Sequence, residues 1–159
     1  MELPLAFKTL QTTRHHMLKE LEGLSHEQML IIPEGQSDNV IWNVGHLLCS
    51  LSRLTYGFSG YPLPIPDSYL GLFGKGTCAT DWVEQPHVDD VLKQFKALPE
   101  TVEKDYRAGR FVEYKTLELA PGHTVESVEE AVAFHCFHEG LHIGMIISLK
   151  QRMGLAARG

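Results

Sequence analysis

Cysteine is scarce in this chain, and its pattern does not support a disulfide framework. Cys49, Cys78 and Cys136 are an odd number of thiols at scattered spacings, with no CxxC pair among them. Free thiols of this kind are typical of a reducing compartment. With 159 residues, the chain can bury a substantial core without crosslinks. We therefore expect one domain over residues 1–159, in which a metal would serve function rather than folding.

Long apolar runs and an excess of basic residues are also absent. The N-terminus lacks a basic segment followed by an apolar one, and no stretch approaches the length of a membrane span. The formal net charge is −6, with 20 acidic against 14 basic residues, and it opposes binding to a phosphate backbone. The sequence therefore predicts a soluble cytoplasmic protein that binds neither nucleic acid nor a membrane.

Four stretches have the apolar periodicity of helices, at 3–24, 38–57, 88–108 and 124–153. Thr124 is well placed to cap the last of them, and Pro99 predicts a kink or a break near Ala97. Four helices in a chain of this size favour an all-α four-helix bundle. The connection 58–86 is rich in proline and glycine and long enough to cross the bundle, so the second and third helices are expected to run parallel. Residues 111–122 are compatible with an extended segment.

The run HEGLH at 138–142 is the most informative motif. Two histidines four residues apart on a helix, His138 and His142, point the same way and can bind one metal ion. The HExxH pattern is that of zinc peptidases, where the glutamate, here Glu139, acts as general base. Such a peptidase needs a third ligand downstream, but residues 143–159 contain no His, Asp, Glu or Cys. A third ligand must therefore come from upstream, and peptide hydrolysis is not expected.

His46 is the best upstream candidate for that third ligand. It lies on an apolar face of the second helix, where Gly45 leaves room for close approach of another helix. A lone histidine on such a face is more often a hydrogen-bonded core residue than a ligand. However, His138 and His142 also lie on a face that is otherwise core, which includes Met145. Because buried imidazoles must be paired, three histidines on two facing helices favour a metal site.

Several neighbouring residues allow more than one interpretation. His135 is either a ligand or a partner of the ligands, and Glu139 is an acceptor behind them, a pocket base or a solvated residue. Cys49 is more readily explained by packing than as a ligand or nucleophile, and Trp42 by core packing. The remaining histidines are expected at the surface, namely His15, His16, His26, His87 and His123.

The segment NVIWNVGHL at 39–47, followed about ninety residues later by HEGLHIGMI at 138–146, resembles the DinB-like family of small metal-binding four-helix bundles. The resemblance covers nearly the whole chain. It implies an up-down-down-up bundle with a divalent metal on His46, His138 and His142. Zinc and nickel are the leading candidates for the ion, and iron and cobalt also suit these ligands. Met145 stands where the family often has glutamine.

The resemblance also bears on activity, because characterised relatives include thiol-dependent transferases and isomerases that use low-molecular-weight thiols. Three neutral imidazoles leave a cation its double positive charge and an open position, which can acidify a water or hold a thiolate. Our leading hypothesis is a metal-dependent thiol S-transferase or hydrolase with a small-molecule substrate. The alternatives are a non-catalytic metal-containing binding or sensing protein, and a bundle whose histidines only pack. Glu139 is the sole catalytic candidate, and a homodimer is compatible with the sequence.

Overall fold

The computed structural model describes residues 2–155, and most of them are helical. The helices are α1 (Leu5–Leu21), α2 (His26–Leu30), α3 (Val40–Ser52), α4 (Ser68–Phe73), α5 (Val88–Arg107) and α6 (Val128–Arg152). A π-helical turn, Arg53–Gly57, extends α3, and a 3-10 turn covers Ala79–Asp81. Two short antiparallel strands, β1 (Leu117–Ala120) and β2 (His123–Val125), form a hairpin before α6. The prediction of a mainly helical protein is confirmed.

The four longer helices surround one core, because α1 packs against α6 while α3 packs against both α5 and α6. Each helix contributes fully buried apolar side chains, among them Phe7, Met17, Leu47, Phe95 and Ile146. Polar contacts link the helix surfaces as well. The Sγ atom of Cys136 donates to the carbonyl of Ala6 at 3.6 Å, and the Nζ atom of Lys150 donates to the Glu20 carboxylate at 2.9 Å.

The prediction that Thr124 caps the last helix is wrong. Thr124 lies in β2, and α6 begins at Val128 with the Ser127 side chain accepting a hydrogen bond from the Glu130 amide. The hairpin turns at Gly122, whose φ of +77° favours glycine. Strand pairing therefore takes up the residues that would otherwise extend the helix at its N-terminal end.

Of the kink or break expected near Ala97, the break does not occur, since α5 continues from Val88 to Arg107 with Pro99 inside it. A proline in a helix interior costs about 3 kcal/mol. Phe95, Leu98 and Val102 are buried on one face of α5 and anchor it to the core on both sides of the proline. The burial of this face offsets the local cost.

The connection between α3 and α5 packs onto the domain rather than extending into solvent. Tyr69 and Phe73 of α4 are buried, and the Phe73 ring lies against Gly45 of α3. A Cβ atom at Gly45 would lie 2.4 Å from that ring. Gly45 therefore makes room for a neighbouring helix, as expected, and that helix is α4 of the connection, whose Phe73 ring makes the close approach.

The expectation that no stretch approaches the length of a membrane span is wrong for α6, which by length and composition is apolar enough to cross a membrane. Such a helix is also what the core of a soluble protein requires, and α6 packs against α1 and α3. Its buried face includes the charged residue Glu139, which is ion-paired with Arg14 of α1. The helix is thus a core element of the described fold.

Candidate metal centre

The three histidines predicted from the motifs lie together between α3 and α6. One ring nitrogen each of His46, His138 and His142 lies within 4.8 Å of the other two, so this group can hold one metal ion. The Nε2 atoms of His138 and His142 are 3.1 Å apart. The ring centroid of His46 lies 5.2 Å from that of His138 and 5.1 Å from that of His142.

His142 is oriented by Asn43, which lies on the facing side of α3. The Nδ1 atom of His142 lies 2.7 Å from Oδ1 of Asn43. The amide nitrogen of Asn43 in turn donates to the carbonyl of Asn39 at 2.8 Å. Because the amide group is held by that second bond, its oxygen faces the imidazole and accepts from Nδ1. The Nε2 atom of His142 is then left as the available ligand atom.

His46 is oriented by the connection that follows α3. Its Nδ1 atom lies 2.8 Å from the carbonyl oxygen of Phe73, and a carbonyl can only accept, so Nδ1 carries the proton. The indole of Trp42 stacks on the imidazole at a centroid distance of 4.8 Å and an interplanar angle of 14°. Trp42 is itself held by a hydrogen bond from Nε1 to Thr77 Oγ1 at 3.0 Å. Trp42 therefore packs in the core, as expected, and also fixes a ring of the centre.

His138 completes the set through Ser50, whose Oγ atom lies 3.1 Å from His138 Nδ1 and can accept a hydrogen bond from it. All three rings are then bonded through Nδ1 on their outer sides and present Nε2 inward. Three inward lone pairs repel one another unless a cation or a proton lies between them. This donor set therefore fits a divalent ion, with a supporting hydrogen bond behind each ligand.

The supporting residues Asn43, Ser50 and Phe73 were not identified from the sequence. Two of them carry a signal that could have been used, since Asn43 lies three residues before His46 and Ser50 four residues after it. Polar residues at helical spacing from a candidate ligand lie on its face of the helix. The Phe73 contact is made by a backbone carbonyl and leaves no trace in the residue type.

The electrostatic environment keeps the three imidazoles neutral. Burial, reinforced by the neighbouring imidazoles, lowers the pKa of His138 to about 4 and that of His142 to about 3. Burial also lowers the pKa of His46. Near pH 7 the three rings are therefore uncharged, which is the form that binds metal ions.

Glu139 does not line the pocket at the centre and instead contacts α1. Its side chain is fully buried, and its Oε1 atom accepts from Nε of Arg14 at 2.8 Å. The hydroxyl of Thr13 donates to Oε2 at 2.5 Å. Burial alone would raise the pKa of Glu139, but His135, Arg14 and Thr13 together lower it to about 2. Glu139 is therefore a buried, ionised partner of Arg14 rather than a solvated residue.

His135 lies beside this ion pair and outside the group of three. It is fully buried, and its Nε2 atom is 3.4 Å from Oε1 of Glu139. Within residues 2–155, neither of its ring nitrogens has a hydrogen-bond partner. His135 is therefore not one of the grouped ligands. Its ring lies beside that of the ligand His138, with the two centroids 6.0 Å apart.

Of the other expectations from the sequence, some agree with the structure and one does not. The five histidines expected at the surface are all exposed. Cys49 is buried and donates to the carbonyl of Tyr69 at 3.5 Å, and burial raises its pKa to about 12, which favours packing over a nucleophile. The placement of Met145 on the core face of α6 is wrong, since its side chain is 52% exposed. Ile146 and Glu139 occupy that face instead.

One pocket opens onto the centre. Its volume is about 450 Å³, and His46 and His138 form part of its wall. Leu117 and Leu119 of the hairpin, with Phe134 of α6, line another side. Glu139 is not among the lining residues, so it does not face the space where a ligand would bind. A larger groove of about 700 Å³, near Gln11 and Glu103, contains none of the three histidines.

Comparison with known protein families identifies the superfamily of this chain. The family model described as the DinB superfamily matches residues 9–146, which include all three histidines. The chain therefore belongs to the DinB superfamily. No curated protein matches the sequence.

Proposed function

We propose that this protein is a metal-dependent enzyme of the thiol-transferase type, in which His46, His138 and His142 bind one divalent ion. The observation that carries the proposal is the convergence of three imidazoles, two of which, His46 and His138, line a pocket of about 450 Å³. Zinc or nickel is the leading candidate for the ion, and iron and cobalt remain compatible with three imidazole nitrogens. A bound divalent ion supplies a Lewis acid that favours the thiolate form of a thiol at neutral pH.

The proposed reaction is a substitution at an electrophilic carbon. The sulfur of a small thiol, R–SH, forms a bond to the carbon of R′–X with its own electron pair. The C–X bond breaks, X leaves with the bonding pair, and the thiol proton is released to solvent, which gives R–S–R′ and HX. No oxidant or reductant is required.

The protein's own residues serve this reaction by positioning and by excluding water. Asn43, Ser50 and the Phe73 carbonyl hold the three rings in one orientation. Apolar side chains of the pocket wall keep water from competing for the electrophile. Cys49 also lines the pocket, but its raised pKa makes it a poor nucleophile, so the attacking sulfur belongs to the substrate.

A non-catalytic binding or sensing protein is the alternative, and it would use the same metal site. To separate the two, cobalt-substituted protein is mixed with glutathione, bacillithiol or mycothiol and with an alkyl halide as electrophile. We expect a sulfur-to-cobalt absorption band for at least one thiol and release of halide. His138→Ala should abolish both signals, while Cys49→Ser and the exposed control His15→Ala should retain them. Full metal occupancy without a band or halide release would favour the alternative.

We further propose an up-down-down-up arrangement of α1, α3, α5 and α6. The pairs Ala6–Cys136 and Glu20–Lys150 support parallel α1 and α6, because both residue numbers rise together. The pairs Asn43–His142 and Ser50–His138 support antiparallel α3 and α6. Contacts of Gln11 with Glu103 and of Arg14 with Phe95 support antiparallel α1 and α5.

Cytoplasmic location and a homodimer are also proposals. Free thiols support the first. The exposed apolar residues Phe137, Leu141 and Met145, spaced four apart along α6, support the second. Neither nucleic acid nor membrane is proposed as a partner, given the net charge of −6 and the packing of α6 in the core.

A further inference from the structure

Two adjoining pockets lead away from the three histidines. The inner one, of about 450 Å³, includes His46 and His138 in its wall, whereas the outer one, of about 660 Å³, includes neither. Their walls share Arg53 and Lys75, so these two cations stand where the pockets join. Lys115 lines only the outer pocket. A ligand extending outward from the histidines would therefore pass Arg53 and Lys75 and then approach Lys115.

The charge of this path is opposite to that of the whole protein. The chain carries a formal net charge of −6, yet the wall of the outer pocket holds three cations and no carboxylate. Glu118 is the one carboxylate in the wall of the inner pocket. A concave surface of one charge sign concentrates ligands of the opposite sign.

These three cations also lack the ion pairs that neutralise others on the surface. Over the part of the chain that the structure describes, Arg53, Lys75 and Lys115 take part in no ion pair. By contrast, Arg110 binds Asp105 and Lys150 binds Glu20, both at 2.9 Å. The cations of the path are therefore available to an anionic ligand.

Both junction cations lie a short distance along the chain from residues of the centre. Arg53 starts the π-helical turn and lies seven residues after His46, about two helical turns along the same face of α3. Its guanidinium carbon lies 5.9 Å from the ring centroid of Phe58. Lys75 follows two residues after Phe73, whose carbonyl accepts from His46. A ligand group held by these cations would thus have a defined position relative to the metal centre.

The inner wall between the histidines and the cations is mainly apolar. It is formed by Leu54, Phe58, Leu70, Leu117, Leu119 and Phe134. The complementary ligand has a metal-binding donor at one end, an apolar middle and an anionic group at the other end.

We propose that Arg53 and Lys75, assisted by Lys115, form a subsite for a carboxylate or phosphate group of the substrate. The planar guanidinium of Arg53 suits either group in a bidentate contact, and the two ammonium groups add point charges. This inference rests on the proposed function for the thiol at the other end of the ligand. The substrate class is thereby narrowed to small thiols that carry an anionic group.

The first test compares two thiols on cobalt-loaded protein by titrating the sulfur-to-cobalt band. Mercaptosuccinate carries two carboxylates, whereas 2-mercaptoethanol carries none. The double variant Arg53→Gln/Lys75→Gln should raise the Kd for mercaptosuccinate by about tenfold or more and change that for 2-mercaptoethanol by less than about twofold. Lys93→Gln, at an exposed position of α5, is the matched control. If the double variant weakens neither thiol while both give the band, the subsite is refuted and the thiol site stands.

The second test needs no thiol. Succinate and inorganic phosphate are titrated separately into zinc-loaded, isotopically labelled protein, and amide resonances are followed by NMR. We expect shifts around Arg53 and Lys75 that saturate in the wild type and the Lys93→Gln control and are lost in the double variant. The anion that binds more tightly shows whether the subsite prefers a carboxylate or a phosphate group. Saturating shifts in the absence of any thiol band would support the subsite while the thiol-transferase proposal fails. If neither anion shifts these resonances, the subsite is overturned.

Discussion

The Nδ1 atom of His142 donates to Oδ1 of Asn43 across 2.7 Å, which joins α6 to α3 directly behind the candidate metal centre. This bond sets the tautomer of His142 and aims Nε2 at the other two rings. We expect Asn43→Ala to lower metal affinity by about 10–100-fold, since hydrogen bonds behind histidine ligands typically contribute that much. Chelator competition gives the affinity. Asn43→Asp, which keeps an acceptor, should recover most of it. Equal affinity of a folded Asn43→Ala variant and the wild type would contradict the assigned role.

Glu139 forms a buried ion pair with Arg14 and does not line the pocket that contains His46 and His138. Glu139→Gln leaves the buried guanidinium without its counter-charge, so we expect a loss of roughly 3–5 kcal/mol in the free energy of unfolding. Arg14→Met/Glu139→Leu should recover a large part of that loss, because neither charge then remains buried. Urea denaturation measures the free energy of unfolding of the single and the double variant. A Glu139→Gln protein as stable as the wild type would show that the ion pair does not matter.

The same geometry predicts the absence of peptidase activity, since Glu139 does not line the pocket that contains His46 and His138. Zinc-loaded protein should leave an unstructured substrate such as casein intact. Cleavage that is inhibited by a chelator and abolished by a folded Glu139→Gln variant would reverse this conclusion.

Gly45 is needed because the Phe73 ring occupies the position of a Cβ atom. In Gly45→Ala the new methyl would lie 2.4 Å from that ring, so Phe73 must move, and its carbonyl moves away from His46. We expect a loss of about 1–3 kcal/mol in stability, as for overpacking of a core, together with weaker metal binding. Gly144→Ala is the control, because nothing lies within 4 Å of the added methyl, and it should be neutral or slightly stabilising. Thermal denaturation and chelator competition of the two variants test the difference. Similar losses in both variants would contradict the steric explanation.

Cys49 and Cys136 should be unreactive thiols. Burial raises the pKa of Cys49 to about 12, and burial together with Glu139 raises that of Cys136 to about 11. Cys78 is partly exposed, so iodoacetamide at pH 8 should label it first in the native protein. Mass spectrometry after timed quenching gives the order. Labelling of Cys49 before Cys78 would restore Cys49 as a candidate nucleophile.

The candidate ligands were predictable because the helix face that each one occupies can be read from its near neighbours in the sequence. The four-residue spacing of His138 and His142 places both rings on one side of any helix, and the apolar surroundings of His46 place it on the buried side of another. The partners Asn43 and Ser50 lie at the same spacings and could have been found in that way.

The features that were mispredicted or missed depend on contacts distant in sequence. Glu139 is buried because Arg14, 125 residues away, neutralises it, whereas periodicity alone assigned Met145 to the core face. Likewise, the role of Gly45 depends on where Phe73 of the long connection packs. Thr124 failed as a helix cap because it pairs with Glu118 in the hairpin. Local propensity contains none of this information.

The metal content of purified protein tests the central claim most directly. Each variant and the wild type are loaded separately with zinc, nickel, cobalt and iron near pH 7, passed through a desalting column and measured by elemental analysis. For the metal that the protein prefers, we expect about one ion per chain in the wild type and in the surface control His15→Ala. His46→Ala, His138→Ala and His142→Ala should each retain far less while keeping their helical circular dichroism. A folded wild-type protein that retains none of the four ions would contradict the metal centre and leave the three histidines as core residues.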